Sequence, residues 1–215
     1  MKKDDITIIL SCAGMGTRLG IGTTKALVEI NGKTILERQL ELLKDFKDIR
    51  ITVGYQAEKV IEVVNNIRKD VMFIFNYDYK HTGNATNFCK SLIGANEYVI
   101  EIEGDLLINA EDLKNLVEYS GECIGGTSIS SDEPVYMCVE CGLVRTFSLN
   151  NGNKEWMGLA KIKTEHFTKK EGNIYEILET LLPLPFLEVR ARNIDIDTPE
   201  DYDKVLKWYK SGCLD

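Results

Sequence analysis

The chain lacks the features that mark membrane, secreted and nucleic-acid-binding proteins. None of its apolar runs approaches the roughly 20 residues that a membrane-spanning helix needs, and residues 1–5 (Met-Lys-Lys-Asp-Asp) do not open an apolar secretory signal. Its 26 basic residues are outnumbered by 34 acidic ones, which gives a formal net charge of -8. Binding to nucleic acid through its phosphates requires a basic surface instead. We therefore expect a cytoplasmic protein that contacts neither a membrane nor nucleic acid.

Histidine is also scarce, which bears on whether the six cysteines bind a metal. Only His81 and His166 are present, and only Cys138 and Cys141 among the cysteines are closely spaced. A structural zinc site would need a second such pair or a nearby histidine. We therefore expect reduced thiols without zinc, with Cys138 and Cys141 in a β-hairpin.

Strand and helix patterns alternate through the first half of the chain. The predicted strands and helices lie at 6–10, 34–46 (helix), 49–53, 57–68 (helix), 71–75, 86–95 (helix) and 98–102. The first helix follows a predicted Asn31-Gly32 turn, and Thr34 is its predicted N-cap. Because crossovers between such strands are right-handed and return the chain in the same direction, these strands should form a parallel sheet.

The second half of the chain has short strand patterns joined by turns such as Asn151-Gly152. They lie at 123–128, 135–140, 143–148 and 156–163, and a strand at 187–196 and a helix beginning after Thr198-Pro199 follow. The predicted fold class is α/β. We expect a Rossmann-like three-layer α/β/α arrangement with a mixed, mainly parallel central sheet and a small antiparallel extension.

A glycine-rich loop at residues 11–25 follows the first predicted strand. Gly14 and Gly16 lack a Cβ, so the backbone there can turn sharply, reach positive φ and bring its N–H groups close to an anion. Arg18 and Lys25 add a guanidinium and an ammonium group suited to the oxygens of a triphosphate. The spacing differs from the G-x-G-x-x-G of dinucleotide-binding proteins, and no Walker P-loop is present. A plain tight turn with solvated charges is the competing interpretation.

Two stretches in and after this loop carry a specific resemblance. Residues 13–20 (Ala-Gly-Met-Gly-Thr-Arg-Leu-Gly) and 25–37 (Lys-Ala-Leu-Val-Glu-Ile-Asn-Gly-Lys-Thr-Ile-Leu-Glu) resemble the signature of the nucleotidyltransferases that make nucleotide-sugars and CDP-alcohols, of the MobA-like NTP transferase type. The chain departs from that signature in having Thr24 where proline is usual and a short loop between Arg18 and Lys25.

The resemblance implies a GT-A-like nucleotidyltransferase fold and a division of roles along the chain. A single domain, residues 1–215, would bind the nucleotide with residues 1–122 and the acceptor with residues 123–215. Arg18 and Lys25 would act in catalysis by neutralising charge on the triphosphate. The loop residues that would contact the nucleotide are Ala13, Gly14, Met15, Gly16 and Thr17.

Two acidic residues follow predicted strands, at the sheet edge where ligands collect in open parallel sheets. Asp105 follows the strand at 98–102 and Asp197 follows the last predicted strand. Taken alone, each aspartate is explained as well by a helix-cap or turn role as by metal binding. The resemblance implies that both bind Mg2+, which prefers one or two carboxylates together with phosphate oxygens and water. Whether a neighbouring acid assists the metal stays open, the candidates being Glu101, Glu103 and Asp195.

Small polar residues at 83–92 lead into a predicted helix and are suited to reading a nucleobase. Amide groups supply both donors and acceptors, although helix capping by Thr86 or Asn87 would also explain them. The resemblance implies nucleotide contacts from Asn84, Ala85, Thr86, Asn87 and Gly104. The tract at 76–81 and the Asn87-Phe88 pair are more similar to bacterial CTP:phosphocholine and phosphonate cytidylyltransferases than to sugar-phosphate enzymes.

These residues together predict a Mg2+-dependent transfer of CMP from CTP to a small phosphomonoester or phosphonate. An acceptor oxygen would attack the α-phosphorus and pyrophosphate would leave, and no general base is needed because such an acceptor is ionised near neutral pH. The acceptor would meet Lys161 through its phosphate, and a quaternary amine would be held by aromatic side chains, for which the candidates are Tyr77, Tyr79, Tyr136 and Trp156, although each could equally well be a packing residue. The sequence leaves monomer and homodimer open.

Three other functions stay open from the sequence. The first is a sugar-1-phosphate nucleotidyltransferase. The second is a GT-A-type glycosyltransferase, which normally carries a D-x-D motif that Glu103-Gly-Asp105 matches only in part. The third is a noncatalytic nucleotide-binding module, which predicts binding of CTP without release of pyrophosphate.

Overall fold

The computed structural model describes residues 3–15, 22–131, 133–167, 172–190, 192–193 and 199–210. The strands are β1 (Ile6–Cys12), β2 (Glu29–Ile30), β3 (Lys33–Thr34), β4 (Asp48–Val53), β5 (Met72–Phe75), β6 (Tyr98–Glu103), β7 (Leu106–Leu107), β8 (Cys123–Thr127), β9 (Tyr136–Glu140), β10 (Leu143–Ser148), β11 (Lys154–Lys163), β12 (Leu184–Glu188) and β13 (Arg192–Asn193). The helices are α1 (Ile35–Leu42), α2 (Ala57–Ile67), α3 (Asn84–Ser91), α4 (Ala110–Glu118), α5 (Ile174–Glu179) and α6 (Pro199–Lys210).

A nine-stranded sheet with the order β5-β4-β1-β6-β11-β8-β12-β10-β9 runs through the described part of the chain. The first four of these strands are parallel, as the alternation of strands and helices predicts. β11 then pairs antiparallel with β6, so the antiparallel extension is continuous with the central sheet. Because β9 also pairs with β11, the strands from β8 to β12 form a closed ring of pairings.

Helices cover both faces of this sheet and confirm the predicted three-layer α/β/α fold. On one face, α1, α2 and α4 bury residues such as Leu36, Val60 and Leu116 against β1, β4 and β6. On the other face, α3 and α5 bury Phe88 and Ile177 among the opposite side chains of the same sheet. The strands of the sheet centre are apolar on both sides because both faces are covered.

The β2–β3 hairpin and the start of α1 form as the sequence predicts. Asn31 (φ 50°) and Gly32 (φ 77°) both adopt the left-handed conformation that a two-residue hairpin turn requires. Thr34 caps α1, because its Oγ1 accepts a hydrogen bond from the Glu37 N–H at 3.1 Å, and its own N–H donates to Glu37 Oε2 at 2.6 Å. α6 packs against this hairpin, where Tyr202 Oη donates to Glu29 O at 2.8 Å.

Several elements differ from the sequence-based expectation. α4 and α5 are additional helices, and Asn109 caps α4 by accepting from the Asp112 N–H at 2.7 Å. The predicted strand at 187–196 is not one continuous strand, since β12 begins at Leu184 and ends at Glu188, and β13 covers Arg192–Asn193, while residues 191 and 194–196 lie outside the described part of the chain. The predicted Cys138–Cys141 hairpin is present, with Cys141 (φ 50°) and Gly142 (φ 75°) forming the turn between β9 and β10. No helix in the described residues is long and apolar enough to cross a bilayer.

Candidate active site

A cleft of about 400 Å³ lies at the carboxyl ends of the parallel strands β1, β4, β5 and β6. This is the edge at which open α/β sheets collect ligands. Eight of the site residues singled out from the sequence line it: Ala13, Gly14, Lys25, Asn84, Asn87, Glu103, Gly104 and Asp105. Segments that are distant in the sequence therefore meet at one site.

The other sequence-predicted nucleotide and metal residues are placed as follows. Met15 and Thr86 are half-buried neighbours of lining residues, and Ala85 is fully buried in the core beneath the cleft. Four further predicted residues lie outside the described part of the chain: Gly16, Thr17, Arg18 and Asp197. Asp195, one of the acids left open as a metal ligand, lies outside it as well.

Lys25 and Asp105 meet inside the cleft. Lys25 Nζ lies 3.3 Å from Asp105 Oδ2, and each side chain is less than one-fifth exposed. Lys25 begins a short 3-10 turn, Lys25–Leu27, in which the Leu27 N–H donates to Thr24 O at 3.0 Å. Thr24 itself has φ -68°, close to the value that proline imposes, so the threonine leaves the backbone of this motif unchanged.

Three carboxyl groups follow one another along the end of β6. Glu101 is 2% exposed and accepts a long hydrogen bond from Ser11 Oγ at 3.4 Å, while its Oε2 is buried without a partner. Burial, together with repulsion from Glu103 and then from Asp105, raises the pKa of Glu101 well above its ordinary value. Burial therefore disfavours the charged form of Glu101, whereas Glu103 and Asp105 open into the cleft.

The donor set in the cleft fits a magnesium ion. Asp105 presents a part-exposed carboxylate to a cavity that has room for phosphate oxygens and water, which are the other ligands that Mg2+ prefers. The turn that carries Asp105 is anchored from α1, since Gln39 Nε2 donates to Glu103 O at 2.8 Å and to Leu106 O at 2.9 Å. The carboxylate is thus held in a fixed place relative to the sheet.

Of the two loop glycines expected to reach positive φ, Gly14 differs from that expectation, and Gly16 lies outside the described part of the chain. Gly14 does not adopt positive φ, and a Cβ at this position would meet no atom within 4 Å. The backbone at Gly14 borders open space, so this glycine is not needed for a tight turn. Gly104 is the glycine required for packing, because a Cβ there would lie 2.6 Å from Ser11 O and 3.0 Å from Cys12 Sγ.

This contrast predicts opposite outcomes for two alanine substitutions. Gly14→Ala should raise stability by about 0.4–1 kcal/mol, because it restricts only the unfolded chain, yet lower kcat/KM for the nucleotide about 10–100-fold by displacing its phosphates. Gly104→Ala should lower stability by about 1–3 kcal/mol through overpacking against β1. Urea unfolding and steady-state kinetics on both variants check this. A Gly14→Ala enzyme with unchanged nucleotide kinetics would exclude the phosphates from this part of the loop.

The start of α3 faces the cleft without a side-chain cap. Gly83 is the N-cap residue, so the alternative in which Thr86 or Asn87 merely caps the helix does not apply. Asn84 Oδ1 accepts from the Ile174 N–H at 3.1 Å, which ties α3 to the start of α5. Asn87 is 4% exposed, and its Oδ1 is buried without a protein partner. The helix therefore brings unused polar groups to the wall of the cleft.

Three of the residues predicted for the acceptor, Lys161, Tyr136 and Trp156, do not line the cleft. Lys161 is fully buried, and its Nζ donates to Val117 O and to Tyr119 O, both at 2.8 Å. Burial lowers the pKa of its ammonium group. The predicted contact between Lys161 and the acceptor phosphate is therefore wrong, because β11 lies in the sheet interior and this ammonium binds the C-terminal carbonyls of α4.

Two of the four aromatic candidates, Trp156 and Tyr136, lie away from the cleft, whereas Tyr79 lines it. Trp156 is 5% exposed and packs edge-on against Phe147, with the ring centroids 5.9 Å apart. Tyr136 begins β9, the last strand in the sheet order, at the end opposite to β5. Neither side chain reaches the cleft, so an aromatic cage at these positions does not form.

Replacing Lys161 distinguishes a structural role of this lysine from a role in binding the acceptor. Lys161→Ala should lower the free energy of unfolding by about 2–4 kcal/mol, because it opens a cavity and leaves the two carbonyls without a donor. The KM for the acceptor should stay unchanged in the folded enzyme. Chemical unfolding and acceptor titrations measure the two quantities, and a raised acceptor KM with unaltered stability would restore the contact with the acceptor.

Two further lining residues, Asn76 and Tyr79, lie in the tract at 76–81 that the sequence analysis singled out, and Tyr79 was one of its aromatic candidates, whereas Ser11, Cys12, Thr52 and Thr82 were missed. All six are polar or small side chains at or just after strand ends and in the turn beyond β5. Asn76 orders that turn, since its Nδ2 donates to Thr82 Oγ1 at 2.8 Å. Burial, assisted by Asp105, raises the pKa of the Cys12 thiol to about 12, which keeps it neutral. Asp105 was identified because ligands collect at the carboxyl ends of parallel strands. The same rule, applied to the ends of β1, β4 and β5, would also have identified the missed residues.

Curated relatives include two kinds of enzyme. The chain is 29% identical over 128 residues to the bifunctional protein GlmU of Neisseria meningitidis, covering 58% of this chain and 27% of that protein. It is 26% identical over 247 aligned positions to the 3-deoxy-manno-octulosonate cytidylyltransferase of Rickettsia bellii, with both chains covered completely. The chain thus spans only about a quarter of the GlmU proteins that it matches.

Solved structures share the fold over nearly the whole chain. The inositol-1-phosphate CTP transferase from T. maritima superposes with a TM-score of 0.80 at 16% identity, covering 97% of this chain and 96% of that one. The CTP:phosphocholine cytidylyltransferase LicC from Streptococcus pneumoniae gives a TM-score of 0.76 at 21% identity, with 95% and 99% covered. The sequence profile of the MobA-like NTP transferase domain matches residues 7–157, which are more than half of the chain and contain the whole cleft. The chain therefore belongs to the MobA-like NTP transferase family, as the glycine loop and its lysine indicated.

Proposed function

We propose that the protein is a Mg2+-dependent cytidylyltransferase that transfers CMP from CTP to a small phosphomonoester or phosphonate and releases pyrophosphate. The observation that carries this proposal is the Lys25–Asp105 pair, in which a cationic and an anionic group lie 3.3 Å apart in one cleft. The Lys25 ammonium group can bind the anionic triphosphate, and the Asp105 carboxylate can bind the magnesium ion that accompanies it. A site for nucleotide and metal together is what nucleotidyl transfer requires.

The relatives support CTP as the nucleotide. The T. maritima and S. pneumoniae structures are named for CTP-dependent transfer, and the R. bellii relative for a cytidylyltransferase. HddC from Yersinia pseudotuberculosis, with a TM-score of 0.73 and 21% identity, was solved with GMP-PN, so this fold also accepts a purine nucleotide. The base must therefore be selected by local polar groups. Asn87, with its buried and unused Oδ1, offers an acceptor for the exocyclic amine of cytosine.

The reaction is an in-line displacement at the α-phosphorus. A new bond forms between an acceptor oxygen and the α-phosphorus, and the bond from that phosphorus to the bridging oxygen of pyrophosphate breaks. Lys25 holds the triphosphate and neutralises charge that builds on the leaving pyrophosphate. The open backbone at Gly14 lets the phosphates approach closely, and Asn84 and Asn87 orient the nucleoside. Positioning and electrostatics supply the rate, so no covalent intermediate is needed.

Asp105 would hold the magnesium ion, and Asp197 is the second ligand that the family resemblance implies. When bound, the ion acts as a Lewis acid on the α-phosphate and screens the charge of an anionic acceptor. Asp105 is also the partner of Lys25, so it keeps the ammonium group inside the cleft before nucleotide binds. Glu101 is buried near this pair, and its burial and the neighbouring carboxylates oppose a further negative charge there by raising its pKa.

A single assay tests the proposal. The purified chain is incubated with Mg2+ and each of CTP, UTP, GTP, ATP and dTTP, against phosphocholine, phosphoethanolamine, an aminoalkylphosphonate and sugar 1-phosphates, and pyrophosphate is measured. Release with CTP and a phosphomonoester or phosphonate, abolished by EDTA and restored by Mg2+, is the expected result. Binding of CTP by calorimetry with no release for any acceptor would instead indicate a nucleotide-binding module.

The second candidate is a sugar-1-phosphate nucleotidyltransferase. It is favoured by the GlmU relatives, including the one of Solibacter usitatus at 31% identity over 122 residues, which cover 54% of this chain and 26% of that protein. The same assay separates the two, because this candidate predicts release with UTP or dTTP and a sugar 1-phosphate. A glycosyltransferase would release no pyrophosphate in this assay, and would instead release a nucleoside diphosphate from a nucleotide-sugar donor.

A further inference from the structure

α3 carries Asn84 and Asn87, which line the cleft, yet little within the helix itself fixes its position. It has only eight residues, and isolated helices of that length are marginal in water. Its sequence, Asn-Ala-Thr-Asn-Phe-Cys-Lys-Ser, consists mostly of poor helix formers, and its N-cap Gly83 supplies no side-chain hydrogen bond. The position of α3 is therefore set by contacts with the rest of the protein.

At the cleft end, α3 is bound to the chain at 172–174. The Ala85 N–H donates to Gly172 O at 3.3 Å, and Asn84 Oδ1 accepts from the Ile174 N–H at 3.1 Å. Both bonds join neutral groups, and both are longer than the common N···O distance of about 2.9–3.0 Å. This end of the helix therefore has only weak polar anchors.

At the opposite end of α3 lies the buried guanidinium group of Arg50, a residue of β4 that is 3% exposed. Its Nη1 donates to Ser91 O at 2.6 Å and to Ile93 O at 2.8 Å. Its Nη2 donates to Gly94 O at 2.8 Å. Carbonyl groups at the end of a helix carry partial negative charge, and hydrogen bonds from a charged donor are about twice as strong as neutral ones. Arg50 is therefore a strong anchor for the end of α3.

Asp48 fixes the guanidinium group from the strand side. Arg50 Nε donates to Asp48 Oδ1 at 3.0 Å and Arg50 Nη2 donates to Asp48 Oδ2 at 2.9 Å, which is the two-bond geometry of an arginine–carboxylate pair. Asp48 Oδ2 also accepts from Thr7 Oγ1, so the carboxylate is tied to β1 as well. The planar guanidinium group thus joins the end of α3 to β4 and β1 in one orientation.

Hydrogen bonds connect Arg50 to the wall of the cleft. Ser91, whose carbonyl binds Arg50, donates from its Oγ to Asn87 O at 2.9 Å. Asn87 lies one helical turn closer to the cleft, and its Oδ1 is the buried acceptor proposed for the exocyclic amine of cytosine. Because a helix of eight residues is only about 12 Å long and moves as one unit, a shift of its last turn also shifts Asn87.

We infer that Arg50 is a positioning residue for recognition of the base, an inference that rests on the proposed function. Arg50 acts through α3, by keeping Asn87 where it can bind the base. A hydrogen bond from an amide group weakens steeply when its geometry is lost. The attraction of the compact Lys25 ammonium group for the triphosphate is less directional and does not depend on α3. Loss of the Arg50 anchor should therefore weaken binding of the base and spare binding of the phosphates.

Calorimetry with two ligands in the presence of Mg2+ tests this role. Arg50→Lys keeps the charge but not the planar fork, so it should raise the Kd for CTP about tenfold and leave the Kd for inorganic tripolyphosphate, which has no base, unchanged. In the pyrophosphate assay, the KM for CTP should rise by a similar factor while kcat at saturating CTP stays the same. Asp48→Asn, a milder change that retains Arg50, should raise the Kd for CTP about threefold.

Arg68→Lys is the matched control. Arg68 pairs with Asp70 and donates to Leu43 O and Phe46 O, just beyond the end of α1. α1 holds the turn that carries Asp105, so any effect of this variant should fall on both ligands alike. The ratio of the two dissociation constants should therefore keep its wild-type value. Circular dichroism checks that each variant is folded.

The possible results separate the role of Arg50 from the proposed function. An equal loss of CTP and tripolyphosphate binding in Arg50→Lys, or an unchanged Kd for CTP, would overturn the positioning role. If Arg50→Lys does not fold, the same comparison in Asp48→Asn decides. A wild type that binds no CTP would overturn the proposed function, and the role of Arg50 with it.

Discussion

Replacing Lys25 by alanine is expected to lower kcat/KM for nucleotidyl transfer by about 10²–10³-fold. The ammonium group is the cation that the described part of the cleft offers to the triphosphate, and removal of one preorganised charge donor at a developing negative charge has an effect of this size. The loss should appear in kcat as well as in the KM for the nucleotide, because charge on the leaving pyrophosphate grows in the transition state. Steady-state kinetics with both substrates varied measures the two parameters.

Two further lysine variants serve as controls for the Lys25→Ala result. Lys25→Arg keeps the charge but changes its shape, so it should recover part of the rate. Lys33→Ala removes an exposed lysine that pairs with Glu41 outside the cleft, and it should leave the kinetics unchanged. Equal losses in Lys25→Ala and Lys33→Ala, or a full rate in Lys25→Ala, would contradict the placement of the triphosphate at this lysine.

Asp105→Asn is expected to lower kcat by about 10²–10³-fold and to raise the Mg2+ concentration for half-maximal activity at least tenfold. Asparagine keeps the size of the side chain but removes its negative charge, so the fold should be preserved. The distinguishing measurement is a Mg2+ titration of the initial rate at saturating nucleotide. It separates a metal-holding carboxylate from one that merely orients Lys25.

The control is Asp45→Asn, which neutralises an exposed carboxylate that pairs with Lys3 on the surface. It should alter neither the rate nor the Mg2+ titration. If Asp105→Asn lowered the rate but left the Mg2+ titration at its wild-type position, Asp105 would act through Lys25 alone. The metal would then have to be held by other groups.

The sequence predicts those parts of the fold that depend on local chemistry. The Asn31-Gly32 turn and the Thr34 cap follow from residues within one turn of each other, and both are present in the structure. α4 was missed although Asn109 followed three residues later by Asp112 is a capping signal, because its apolar positions are few. β12 was placed too late in the chain, since its pairing with β8 and β10 is decided by residues distant in the sequence.

The site shows the same division between local and long-range information. Lys25 and Asp105 were identified from motifs, but their approach to 3.3 Å depends on β1 and β6 being neighbours in the sheet. Lys161 was misplaced because a lysine in a strand ordinarily faces solvent, whereas β11 lies between β6 and β8 with both faces covered. Whether a strand is central or at an edge is a property of the assembled sheet, and no local pattern reports it.

The pairing of β6 with β11 also bears on how the chain folds while it is being synthesised. The four parallel strands are complete once β6 has been made, yet the strand that covers β6 follows only after β8, β9 and β10. Until then, β6 is an edge strand with one unpaired side, although it lies in the middle of the finished sheet. Its apolar residues Val99, Ile100 and Ile102 are then left without the strand that covers them. A ribosome that pauses between β6 and β11 would therefore hold a fragment prone to aggregation, and the codons between these strands should be translated without delay.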